Sequence, residues 1–183
     1  MKKLLSLALA TALLGIAAHD GQAQIKKYTL PEIVTEADGA VFGQIVAKRV
    51  FRVDDPVDGP ELYFTTITVQ GRLLDDETTV SMDLTYNGGF IDDEHGVWNS
   101  EAPSAADTKI GNQIIAFFKW QDNIGGGVSA NAIVAMHGGL YRTASGGSRP
   151  VVLGRGAGYA IERNVSVSNL EKSIRQVRGT KKR

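Results

Sequence analysis

The sequence contains no cysteine, and beyond residue 23 it has only two histidines, His95 and His137. These two shortages exclude much chemistry at once. No disulfide can staple the chain, no thiolate can act as nucleophile, and no cysteine-based zinc site can form. A catalytic zinc held by three histidines is impossible within residues 24–183, and a two-histidine site would have to bring positions 95 and 137 together beside a carboxylate. Charge of one sign is also missing: 20 Lys and Arg stand against 20 Asp and Glu. Such a balance gives no global attraction to nucleic acid or to an anionic surface. The only long apolar run lies at the start, Leu4 to Ala18, and it falls short of the roughly 20 residues a transmembrane helix needs.

That run has the layout of a bacterial export signal. Lys2 and Lys3 precede it, and Gly21-Gln22-Ala23 follows with the small residues a signal peptidase requires. Residues 1–23 are therefore expected to be a signal peptide, and residues 24–183 a single exported domain, periplasmic or secreted. Without a cysteine, lipid attachment at the new N-terminus is excluded. An exported domain of this size can bury a sufficient core without disulfides. Residues 24–183 carry 18 basic and 19 acidic residues, with six of the basic ones after Glu171. Basic character is thus local to the tail.

Along the chain the spacing predicts a short helix from Leu30 to Gly39, with Pro31 in its first turn and a glycine closing it. A strand over Ala40–Val53 comes next. Two strands with strict alternation then face each other across Leu74-Asp75-Asp76-Glu77, which reads as a polar hairpin tip. In the first, Tyr63, Thr65, Ile67 and Val69 share a face; in the second, Val80, Met82, Leu84 and Tyr86 do. Gln113–Trp120 is apolar enough to be a strand covered on both faces, with Trp120 in the core. Glycine-rich turns separate short strands near 128–136, 140–144 and 149–153, and a last strand is expected near Ala160–Val167. Ser168 could cap a final helix, about 168–183, that aligns Leu170, Ile174 and Val177. The pattern predicts a mainly β fold: a small antiparallel barrel with a short N-terminal helix and a C-terminal helix.

Ala37-Asp38-x-x-Val41-x-Gly43-x-Ile45, then Tyr86-Asn87-Gly88-Gly89, Gly96, Pro103 and Gly111-x-x-Ile114-Ile115-x-Phe117-Phe118 form a recognisable series. It resembles a group of uncharacterised secreted bacterial β-barrel proteins, over roughly residues 37–120. More distantly, the helix leading into an Ala-Asp strand is similar to the OB-like barrel of netrin-like modules, which include tissue inhibitors of metalloproteinases. Those inhibitors act through an N-terminal cysteine and disulfides, both absent here, so their mechanism does not transfer. The resemblance implies an OB-like barrel and supplies no chemistry.

Asp92-Asp93-Glu94-His95 is the densest cluster of reactive groups. Three carboxylates and an imidazole could bind a metal through oxygen, or divide acid and base roles if burial split their pKa values; the competing reading is a solvated loop. Asp54-x-Pro56-x-Asp58-Gly59 lacks the ligands of an EF-hand, having proline at the third position and Thr65 at the twelfth. His137-Gly138-Gly139 is not followed by a Gly-x-Ser-x-Gly elbow or a later histidine, which excludes an α/β-hydrolase esterase. Gly154-Arg155-Gly156-Ala157-Gly158 has the wrong glycine spacing for a dinucleotide loop and reads as a flexible connection. Trp98, beside the acidic cluster, is the aromatic best placed to meet a ligand.

These features predict a non-catalytic, exported module that binds a protein or cell-envelope partner through Asp92, Asp93, Glu94, His95 and Trp98. The alternative is a small hydrolase or metal-assisted enzyme using residues 92–95. No cofactor, resident metal or nucleic-acid partner is expected. A weaker contact with an anionic surface through the basic tail is the remaining expectation.

Overall fold

The computed structural model describes residues 27–54, 59–146 and 149–181; the expected signal peptide and residues 55–58 of the 54–59 turn lie outside them. Helix α1 (Leu30–Glu36) begins with a capping box: Thr29 Oγ1 accepts from the Glu32 amide, and the Glu32 carboxylate accepts from the Thr29 amide at 2.7 Å. The chain turns extended at Ala37 and enters β1 (Gly39–Val53), then β2 (Leu62–Leu73) and β3 (Thr79–Asn87). A two-stranded arm follows, β4 (Gly89–Phe90) and β5 (Gly96–Val97). Beyond it come β6 (Gln113–Gln121), β7 (Ala130–Ile133), a 3-10 turn (Met136–Gly139), β8 (Leu140–Gly146), β9 (Arg149–Val152), β10 (Val165–Ser166) and α2 (Val167–Lys181).

Five strands close into a barrel in the order β1-β2-β3-β7-β6, with β6 returning to β1. All pairings are antiparallel except β3 with β7, which run parallel at Thr85 and Ala132. This is the strand order of an OB-like barrel. Closure depends on β1, which pairs with β6 over Gly39–Gln44 and with β2 from Val41 to Val53. The sharp curvature needs two devices. A bulge between Ile45 and Ala47 bends the strand. Just before it, Gly43 lies opposite Gly71, and a Cβ on Gly71 would overlap the Phe42 carbonyl.

Alternation then separates two cores. Val41, Ile45, Ile67, Val69, Leu84 and Tyr86 fill the barrel with Ile114, Ala116 and Phe118 of β6. The other face of β6, Ile115 and Phe117, lies under α1 and α2 with Ile33, Val34, Leu170 and Ile174. β6 is therefore covered on both sides, as its apolar run predicts. Trp120 departs from expectation: it is 51 % exposed, because β6 has reached the barrel rim there, and its Nε1 donates to Asp122.

The C-terminal helix is fixed by charge as well as by its apolar stripe. Ser166, two residues earlier than expected, caps it by accepting from the Asn169 amide. The expected strand over 160–167 shrinks to Val165–Ser166, since the helix has already started at Val167. Glu171 receives both Arg72 nitrogens at 3.0–3.1 Å and also Arg175. Arg175 reaches Glu77, and Arg178 pairs with Asp75 at 2.7 Å. The hairpin tip 74–77 is thus a docking point for α2, with Leu74 fully buried. Burial pushes the Asp75 carboxyl up, against the pull of Arg178, and Asp75 Oδ1 and Arg178 Nε are buried with no hydrogen-bond partner among the described residues.

Two stability measurements check this architecture. Gly71→Ala is expected to lower unfolding free energy by about 2–3 kcal/mol through overpacking against the β1 backbone, read by urea denaturation. Glu171→Gln is expected to cost about 2 kcal/mol at pH 7. The hydrogen bond from Arg72 holds Glu171 below the usual carboxylate range. Its contribution is therefore complete above the unfolded-state value of about 4.3 and lost as pH falls through the lower folded-state value. The gap between variant and parent should close over that acid window.

Candidate functional site

The five residues singled out in the sequence all fall on or beside the β4–β5 arm, which projects from the end of β3. Its root is tightly held. The Thr65 hydroxyl donates to the Gly88 carbonyl at 2.6 Å, the Gly88 amide to Tyr63, and the Asn99 side chain to the Asn87 carbonyl. Gly88 and Gly89 both adopt positive φ, 95° and 133°, and a Cβ on Gly89 would collide with Thr65 Oγ1. Glycine at position 89 is what lets the arm leave the barrel at this angle.

The tip is organised by Asp92. Its Oδ1 accepts from the Glu94 amide at 2.9 Å and the His95 amide at 2.8 Å, and His95 Nδ1 lies 2.8 Å from the same oxygen. The Ile91 amide closes the turn on the His95 carbonyl. The bond to His95, followed by that to the Glu94 amide, holds the Asp92 carboxyl below its ordinary range. Asp92 and His95 therefore build the turn, while Asp93 and Glu94 point outward from it. All four residues are exposed, and among the described residues no three metal-ligating side chains converge. Splitting carboxylate pKa values for acid–base work requires burial or a close carboxylate pair, and the tip offers neither.

What the arm does present is apolar surface. Trp98 is 78 % exposed, Phe90 53 %, Ile91 51 % and Val97 44 %. Isolated exposed apolar residues are ordinary, whereas here four large ones gather on or beside a single short arm. Between the arm and the barrel lies a groove of about 540 Å³, whose apolar lining includes Leu62, Phe64, Val97, Trp98 and Ile124. It opens where the starts of β2 and of the β6–β7 connection meet the arm. Sequence reading found Trp98 but missed Leu62, Phe64 and Ile124, which come from distant stretches and carry no motif.

His137 does not join His95. The Glu101 carbonyl accepts from both its amide and its Nδ1, each at 2.9 Å. Nδ1 thus carries the proton, and Nε2 faces the Tyr159 hydroxyl at 3.2 Å. Ala135 and Met136, both left-handed at φ 56° and 49°, make the 3-10 turn that delivers it. Nor is the Gly154–Gly158 connection loose. Arg155 pairs with Asp107 at 2.8 Å, donates to the Leu140 carbonyl and lies over the Tyr141 and Tyr159 rings.

No protein-family model, curated protein or solved structure matches the chain. Function must therefore be argued from the site itself. Asp92→Ala is expected to speed amide hydrogen exchange at Glu94 and His95 by about tenfold or more, with no change in melting temperature, because it frees the tip without touching either core.

Proposed function

We propose that the protein is an exported, non-catalytic β-barrel module that binds a protein or cell-envelope partner through the β4–β5 arm. The observation that carries this reading is the exposure of Phe90, Ile91, Val97 and Trp98 together on an arm whose root and tip are both fixed by hydrogen bonds. A preorganised apolar surface loses little freedom on binding, so more of its contact energy is retained. Trp98 is the natural anchor, since a large aromatic at the centre of a contact commonly dominates its energy. Asp93 and Glu94 at the tip of the same arm favour a partner that carries a basic rim as well as an apolar recess.

Export rests on the N-terminal apolar run and its flanks, and membership among secreted bacterial β-barrels on the motif series from Ala37 to Phe118. The barrel agrees with both without deciding either. No helix among the described residues is long and apolar enough to cross a membrane. Residues 92–95 give the hydrolase alternative no support, since their side chains face water and Asp92 is committed to the turn.

Crosslinking the tagged protein in extracytoplasmic extracts, followed by mass spectrometry, tests the proposal. One partner crosslinking at the arm, with affinity reduced at least about tenfold by Trp98→Ala and an unchanged melting temperature, is the expected result. Unchanged affinity in that variant would remove the arm as the contact surface.

A further inference from the structure

A second groove, of about 420 Å³, shares no lining residue with the first and lies where β1, β2, β9 and the start of α2 meet. Three cations line it, Arg72, Arg149 and Lys172, together with the Ser168 hydroxyl, and no carboxylate does. Topology brings them together. Val151 pairs with Ser166, and α2 begins at the next residue, so the first turn of the helix starts where β9 pairs with β10, and Arg149, Pro150, Val167 and Ser168 line one groove. Ser168 and Lys172 then share one helix face, four residues apart. Arg72 enters from β2, held across the Phe42 ring at 5.9 Å by its paired bonds to Glu171.

The local charge is not balanced. Arg72 and Arg175 are matched by Glu171 and Glu77. Arg149 and Lys172 form no ion pair among the described residues, and both are exposed. Two positive charges therefore remain on the groove, one of them a guanidinium whose fork geometry suits phosphate oxygens. Phe42, Pro150 and Val167 supply apolar wall beside these charges. An ion alone has no use for such a wall, whereas the carbon skeleton of an ester can lie against it.

We infer that this groove binds the phosphate group of a phosphoester, with Arg149, Lys172 and Ser168 contacting the oxygens and Arg72 forming the fixed wall. The site is separate from the arm and from any partner it takes. The phosphoester could be a lipid headgroup or a soluble molecule, and the recognition chemistry is the same for both.

The test is an amide-shift titration of the protein with glycerol 3-phosphate, against sodium chloride at matched ionic strength. Saturating shifts at Arg149, Ser168 and Asn169 that the chloride control lacks are expected. The Arg149→Gln/Lys172→Gln double variant should weaken binding at least about tenfold without changing the melting temperature, since neither side chain has an ion-pair partner among the described residues. Cosedimentation with phosphatidylglycerol vesicles, lost in the double variant, would identify a lipid source; saturation without cosedimentation would identify a soluble one. Shifts that stay linear, or a double variant that binds as well as the parent, would overturn the site.

Discussion

The closure of β1 onto both β2 and β6 is the constraint on which everything else rests. A five-stranded sheet with free edges would expose two rows of unpaired backbone groups. Here one strand bends far enough to serve both neighbours, at a point where two glycines face each other and one residue bulges. Because β1 is shared, the interior side chains converge into one core. The outer faces of β1 and β6 are then free to form a second core under the helices. The arm and the cationic groove are both consequences of this frame. One leaves the barrel where β3 ends, and the other opens where the outer layer is sealed by α2.

The two surfaces differ in how they are built. The arm gains rigidity from hydrogen bonds: Asp92, one of the three carboxylates clustered in the sequence, gathers the tip, and a threonine clamps the root. The groove gains its character from what has been left unpaired. α2 is secured by a neutral set of ion pairs, and the cations left over by that arrangement are the ones that face solvent. Exposed ion pairs contribute little stability individually. Glu171, largely buried and shared by two arginines, is the member of the set with real structural weight.

Much of this was legible in the sequence because it depends on local chemistry. Period-two alternation identified β2 and β3, and the apolar run at 113–120 marked the doubly covered strand. Proline, acid and glycine placement located α1, and the stripe Leu170, Ile174, Val177 located α2. Long-range relations were not legible. Trp120 looked like core because its neighbours are, yet the last two residues of the strand are at the rim. Leu74–Glu77 was legible as a polar hairpin tip, but not as the dock for α2, because its partners, Arg175 and Arg178, lie about a hundred residues later. Residues 92–95 and Trp98 were found as neighbours in sequence, but only Trp98 of these lines the groove. The rest of its lining includes β2 and the β6–β7 connection, which only the closed barrel brings together.

The outer core joins the two ends of the fold. Ile33 and Val34 near its start are covered by Leu170 and Ile174 near its finish, and Arg178 reaches back 141 residues to the Ala37 carbonyl. A chain emerging residue by residue can pair its barrel strands long before α2 appears. During that interval only the short α1 is available to cover the outer faces of Ile115 and Phe117. Synthesis and any threading across a membrane thus pass through a stage with a closed barrel and a part-covered apolar flank. The last helix sets the moment at which that flank ceases to be a hazard for aggregation.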